Sequence, residues 1–392
     1  MGKKPSLLLF IILFGAMFLF GYIENIKGVS YPLIKTDFGI SYEQQGVFVS
    51  ILSFSYVLFC LLGGILIARL GVKATFTLGF IFMALGLGAA FFFPSFLLAA
   101  SALFVVSASF GLFEVSSNAL ATQIFQKKPA LLMSLMHFFY GAGSSVSPRA
   151  AGTISLAMSW RHVYLFSLPL VLLLFIPSLF ARFPGTQHPE GGAEEKKATF
   201  YDALKTPAVW YFALTLGLMV GVELASPNWG GLYFQDVHGL DPQTLGAAFI
   251  SNFYILFTLS RLASGFGIEK IGYDRSLILA CCMVLVIFIL GFALGPRGIR
   301  VLPFLGFFTA IFWPTLMALA MGHFRQNSPV MTSAVIVIAG GINSLMQFLI
   351  GYTNRLAGPQ WGYRSCFVYA LLSLGALLLL KRHLRAQSKA PA

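Results

Sequence analysis

Runs of about 20 apolar residues, the length a helix needs to cross a bilayer, recur from one end of this 392-residue chain to the other. Twelve can be marked, over 6–34, 44–68, 74–93, 96–125, 130–158, 162–182, 206–235, 243–268, 275–295, 299–324, 329–356 and 363–381. No single soluble core can bury so many. Charged residues make up 10% of the chain, against about 25% in a soluble domain, and the mean hydropathy is +0.83. Lipid is therefore the expected solvent, and a backbone in lipid must satisfy its own hydrogen bonds as helix or closed barrel. Runs of this length read as helices. The expected fold class is an all-α membrane protein of twelve transmembrane helices.

Most links between runs are short, so neighbouring helices are expected antiparallel. The exception is 183–205, with Pro184, Gly185, Pro189, Gly191, Gly192 and the charged run Glu194-Glu195-Lys196-Lys197. It reads as a cytoplasmic linker between a six-helix bundle over 1–182 and a second over 206–392. Loop charge sets orientation. With the N-terminus in the cytoplasm, seventeen Lys and Arg fall on that side and six on the other, while Lys27, Arg149 and Arg261 lie within spans. Both termini are expected inside. The same spread explains the net charge of +13 without a nucleic-acid partner, because the basic residues are not gathered on one face.

Other classes are excluded by what the sequence lacks. The four cysteines lie in or beside apolar runs, at no metal-ligand or disulfide spacing. There is no phosphate-binding loop, no nucleophile elbow and no metal-ligand cluster. The chain reads as a non-enzyme without cofactor or metal, and ATP does not drive it directly. Lys3 and Lys4 precede the first run as in a signal peptide. That run is too long for one and no small-residue cleavage site follows, so it is read as the first helix.

An internal repeat supports two pseudo-symmetric halves. Gly64-Ile-Leu-Ile-Ala-Arg69-Leu-Gly71-Val-Lys73 follows the second run, and Gly265-Phe-Gly-Ile-Glu269-Lys270-Ile-Gly272-Tyr-Asp-Arg275 follows the eighth, at a constant offset of 201.

Ionisable residues inside a membrane are costly and face a protein interior or a wet cavity. Glu24 and Lys27 lie one turn apart in the first run, Glu114 in the fourth and Glu223 in the seventh. Glu24 and Lys27 read either as a self-satisfied ion pair or as binding and coupling groups. Glu114 and Asn118 share a helix face at i,i+4, and a carboxyl in a low-dielectric cavity can load and release a proton. Asn25 reads as helix packing. In the fifth run, His137, Tyr140, Gly141 and Ser144 lie on one stripe, with Gly141 and Gly143 allowing close packing. Arg149 falls off that stripe and reads as an anion clamp or as a partner for Glu24 or Glu114. In the seventh run, Pro227 and Gly230-Gly231 break the helix around Asn228 and Trp229, and Trp229 reads as a sugar-stacking, gating or interfacial ring. Asn343 and Gln347, i,i+4 in the eleventh run, suit either hydroxyl recognition or helix–helix glue. Arg261 lies four residues before the repeated motif and reads as a gate contact with Glu269.

The repeated loops resemble the G-x-L-a-D-r-x-G-r-k motif of the major facilitator superfamily. Ala68 stands where that motif has Asp, while Glu269 keeps an acid in the second half. Gly111-Leu-Phe-Glu114…Asn118, His137-Phe-Phe-Tyr140-Gly-Ala-Gly143…Pro148 and Gly221-Val-Glu223…Trp229 resemble the sugar-transporting branch that includes the fucose:proton symporter and glucose-transporter relatives. The resemblance implies alternating access around a midplane site, with helices 1, 4, 7 and 10 lining the cavity. All three buried acids then fall on cavity helices. It implies proton- or sodium-coupled symport in a cell membrane, that of a bacterial inner membrane, by a monomer whose partners are its solute, the coupling ion and the bilayer. A neutral sugar needs no cation, whereas Lys27 and Arg149 fit an organic anion, so both solute classes stand as expectations. A drug or metabolite exporter is the alternative, with a cavity poorer in charge than this one. A non-transporting sensor would be expected to add a soluble domain.

Overall fold

The computed structural model describes residues 7–125, 129–184, 199–324 and 328–389, and these are helical with no strand among them. In chain order the α-helices are α1 (Leu7–Asn25), α2 (Lys27–Phe38), α3 (Tyr42–Phe92), α4 (Phe96–Ile124), α5 (Pro129–Ala157), α6 (Trp160–Phe180), α7 (Phe200–Lys205) and α8 (Pro207–Ala225). A π-helical turn, Ser226–Gly230, leads into α9 (Gly231–His238), and a second, Pro242–Gly246, into α10 (Ala247–Ile271). There follow α11 (Tyr273–Ala293), the 3-10 segment Gly295–Arg300, α12 (Phe304–Thr309), α13 (Phe312–Phe324), α14 (Ser328–Ala357), α15 (Pro359–Arg364) and α16 (Cys366–Lys389). Ten stretches among the described residues are long and apolar enough to cross a membrane.

The first apolar run is interrupted for one residue at Ile26, between Glu24 and Lys27, yet Leu7–Phe38 stays one membrane-length helical stretch. The second and third runs are two helices, as expected, joined within α3 at Gly71, whose backbone is non-helical at φ 85°, ψ 166°. Gly272, offset by 201, sits at φ 89°, ψ 145° between α10 and α11. Only glycine adopts this region without strain, so the sequence repeat is also a repeat of backbone conformation.

The chain forms two compact units. Unit 1 comprises 1–41, 51–190 and 240–255, and unit 2 comprises 42–50, 191–239 and 256–392. In unit 1, α1 runs along α5. Their approach rests on Gly21, which faces the Tyr140 carbonyl, and Gly143, which faces the Phe18 carbonyl. Asn25 is fully buried, and its Nδ2 donates to Gly21 O (3.0 Å) and to Ser144 Oγ (3.0 Å). Lys73 Nζ donates to Leu179 O (2.8 Å) and Ala181 O (3.0 Å), so a cation caps the C-terminal carbonyls of α6. In the 240–255 stretch of this unit, the Gln243 carbonyl of the π-turn Pro242–Gly246 lies against Gly152 of α5.

In unit 2, α8 is flanked by α14 and α16. Gly217 meets the backbone of Ala339, and Ser373 Oγ donates to Thr215 O at 2.9 Å. The first turns of α3, grouped with this unit, pack Gly46 on Gly351 and pair Glu43 with Arg355. Tyr42 OH donates to Asp236 Oδ2 at 2.6 Å. Ahead of α8, the short α7 opens with a capping box in which Thr199 and Asp202 bond reciprocally, and the Thr199 hydroxyl and backbone N–H hold the Asp202 carboxyl below its ordinary range. The four cysteines are unpaired: Cys281 and Cys366 are buried, Cys60 half-buried and Cys282 exposed.

Candidate functional site

In unit 1 the helix break at Ile26 places Glu24 on the last turn of α1 and Lys27 at the start of α2. Both carboxylate oxygens of Glu24 are engaged. Lys27 Nζ lies 3.3 Å from Oε1, and Tyr140 OH donates to Oε2 at 2.6 Å. The two charged side chains are 17% and 14% exposed, so their pairing matters more than at an open surface. Tyr140 meets Phe20 edge-on at 5.1 Å, and Phe20 stacks on Phe110 at 5.0 Å. Tyr56 of α3, half-buried, reaches the Phe20 ring and lies within electrostatic range of both Glu24 and Glu114. One turn along α4 from Phe110 lies Glu114, and one turn further Asn118 Nδ2 donates to the Glu114 carbonyl (2.8 Å) and to Glu114 Oε1 (3.0 Å).

Two carboxyls thus flank one tyrosine inside an aromatic nest, and only Glu24 has a lysine beside it in its own turn. His137 is half-buried on α5, one turn before Tyr140. Arg149 is exposed and its Nη2 donates to Asn252 Oδ1 at 3.0 Å. The sequence reading missed Asn252 and Tyr56. Each follows a serine in an apolar run, and neither carries the charge that marks Glu114.

The pairing can be measured. Lys27→Met strands the Glu24 carboxylate, and a cost of about 2 kcal/mol is expected, below the 3–5 kcal/mol of a fully buried pair. Glu24→Gln with Lys27→Met removes both charges and should recover most of that loss. Melting of the two single variants and the double in detergent gives the coupling; additive losses would show that the pair contributes nothing.

In unit 2 the seventh run does not break: the helix continues from α8 into α9 through a π-turn, with Pro227 supplying no N–H and Asn228 and Trp229 both buried. Gln347 of α14, fully buried, is the centre of a network. Its Oε1 accepts from Asn228 Nδ2 (3.1 Å) and Trp229 Nε1 (2.9 Å). Its Nε2 donates to Asn343 Oδ1 (3.1 Å) and Gly221 O (3.4 Å). Ser226 Oγ and Tyr363 OH bond at 3.0 Å beside it. Glu223 is half-buried, one turn before the π segment. The indole of Trp229 is 1% exposed and tied to Gln347 rather than presented as a stacking face. The arrangement parallels unit 1, where Asn25, Ser144 and Gly21 make the corresponding bonds between α1 and α5. Both networks are neutral, and that of unit 2 adds the Trp229 indole to its amides.

Of the gate motif, Gly64 faces open space, and Arg69 is exposed. Lys73 caps α6 as described. The Arg261 guanidinium sits over the Phe257 ring at 4.4 Å. The surroundings of Gly265 and the Glu269 side chain lie outside what is described, as do linker residues 185–198.

Residues 13–347 match the model of the Major Facilitator Superfamily. The chain belongs to that superfamily. It is therefore a multi-pass membrane transporter and not an enzyme. Among its relatives, a glucose/galactose transporter of Brucella abortus biovar 1 (strain 9-941) is 23% identical over 357 residues, covering 84% of each chain. A hexuronate transporter of Bacillus subtilis (strain 168) is 22% identical over 320 residues, covering 74% of this chain and 72% of the relative. The solved structure of the E. coli fucose:proton symporter aligns with 95% of this chain and 98% of its own, at TM-score 0.65 and 18% identity. These likenesses place this superfamily member among sugar-handling relatives, and the last of them shows the shared fold.

Proposed function

We propose that this superfamily member is a proton-coupled symporter of a neutral, polyhydroxylated sugar, working by alternating access. The observation that carries the reading is Lys27 at 3.3 Å from Glu24. An ammonium held by its own helix neighbour is compensated and is not a free anion clamp, so the strongest argument for an anionic solute falls away. The neutral amides around Gln347 suit hydroxyl groups, and the glucose/galactose relative supports the class. Glu114 is the coupling carboxyl in this reading, and His137, Glu223 and Arg149 are further polar groups of the pathway. The bend at Gly71 divides α3 into two crossings. With α5 this gives twelve spans in two halves, 1–182 and 206–392, joined by a linker over 183–205, as a monomer in a bacterial inner membrane with both termini cytoplasmic. The hexuronate relative and the exposed Arg149 favour a second reading, a sugar acid.

Melting of the purified protein separates the two. At about 100 times its dissociation constant, a ligand stabilises by about 2.7 kcal/mol. D-glucose or D-galactose should raise the melting temperature where D-glucuronate and D-galacturonate do not. The reverse ranking would replace the neutral sugar with the acid.

A further inference from the structure

The amide network in unit 2 has a direction that can be worked out atom by atom. An indole N–H only donates. Trp229 Nε1 lies 2.9 Å from Gln347, so the oxygen of that amide faces it. The Gly221 carbonyl only accepts, so the nitrogen of Gln347 faces the other way. Two independent one-way groups thus fix an amide whose O and N would otherwise be interchangeable. The rest follows. Asn343 must accept from Gln347 with Oδ1, and Asn228 must donate to it with Nδ2. Gln347 then has two acceptor and two donor contacts and nothing left to offer a solute.

One buried acceptor of this network has no partner among the described residues. Asn228 Oδ1 is buried and finds no hydrogen-bond donor among the described residues. Asn228 as a whole is 3% exposed. A buried acceptor left unpaired costs about 1–3 kcal/mol, and π-turns such as Ser226–Gly230 cluster at functional sites.

We propose that Asn228 Oδ1 receives a hydroxyl hydrogen from the transported solute, and that Gln347 and Trp229 are the frame that keeps this oxygen, rather than the amide nitrogen, turned towards it. This deepens the sugar reading and rests on it. The site takes a hydrogen-bond donor and rejects a carboxylate oxygen at that position. It also reassigns Gln347 from a solute contact to a positioning residue.

The test uses the whole purified protein and four probes: D-glucose, D-galactose, D-glucuronate and D-galacturonate. For whichever binds tightest, dissociation constants are measured for each monodeoxy and monodeoxyfluoro analogue. Fluorine cannot donate. At one ring position both analogues should bind about 10-fold more weakly than the parent. In Asn228→Leu that difference should vanish, parent and analogues agreeing within about twofold. Fluoro analogues as tight as the parent at every position overturn the proposal in the wild-type protein, with no variant needed, and leave the sugar reading standing. A loss that persists in Asn228→Leu also overturns it, since the donor then meets another group. A preference for either uronate overturns the neutral-sugar reading alone, and the same analogue series on that uronate decides the role of Asn228. Binding of none of the four overturns both.

Discussion

Glu114→Gln is expected to abolish proton-driven accumulation of the solute while leaving exchange of labelled for unlabelled solute within about twofold of wild type. The carboxyl is half-buried on α4, and Asn118 Nδ2 donates to its Oε1 at 3.0 Å. Glutamine keeps an oxygen in that place, so the contact and the local packing survive. What is lost is the ability to carry a proton. One pH unit is worth about 1.4 kcal/mol, so a one-to-one symporter concentrates its solute about 10-fold per unit of pH gradient. In proteoliposomes with an imposed gradient, the variant should only equilibrate. The choice of Glu114 over Glu24 is geometric. A proton reaching Glu24 has to displace Lys27 and disturb the Tyr140 hydroxyl, both already on its oxygens. Accumulation in Glu114→Gln at the wild-type level would remove this residue from coupling. Loss of exchange along with accumulation would make it a structural or solute-contacting group instead.

The sequence made the membrane class legible because hydrophobic length and charge are summed over long stretches. Local chemistry was legible too. Pro227 and Gly230-Gly231 mark a place where the helix carries a π-turn rather than the break expected there, and Asn25 is packing, as read, since it bonds Gly21 O and Ser144 Oγ. The spacing of Glu24 and Lys27 offered an ion pair or a binding group, and the structure records the pair. Long-range partners were not legible. Nothing in the sequence connects Arg149 to Asn252, Lys73 to the carbonyls of Leu179 and Ala181, or Trp229 to Gln347. Nor could the break at Ile26 be read, because no proline or glycine occupies it. Period and propensity describe what a residue does for its own helix, whereas these contacts depend on which helix arrives opposite.

The largest loss of stability is expected where helix backbones touch. A methyl group on Gly21 would run into the Tyr140 carbonyl, and one on Gly143 into the Phe18 carbonyl. Neither obstacle is the tip of a side chain that can swing aside, so α1 and α5 must separate. Overpacking of this kind costs about 3 kcal/mol at its upper range. The separation would also stretch the 3.0 Å bond from Asn25 to Ser144 and the 2.6 Å bond from Tyr140 to Glu24, so solute-dependent stabilisation should fall with it. Gly21→Ala and Gly143→Ala should each lower the melting temperature in detergent by about 5 °C or more. Two other glycines calibrate the effect. Gly221 faces the side chain of Met346, a flexible thioether that can repack, so Gly221→Ala should cost about 1 kcal/mol. Gly64 has nothing within 4 Å, and Gly64→Ala should stay within about 0.5 kcal/mol of wild type. The order matters more than any single value. If Gly21→Ala and Gly143→Ala melt like Gly64→Ala, α1 and α5 are not in backbone contact, and the Glu24–Tyr140 bond that depends on their approach cannot be sustained.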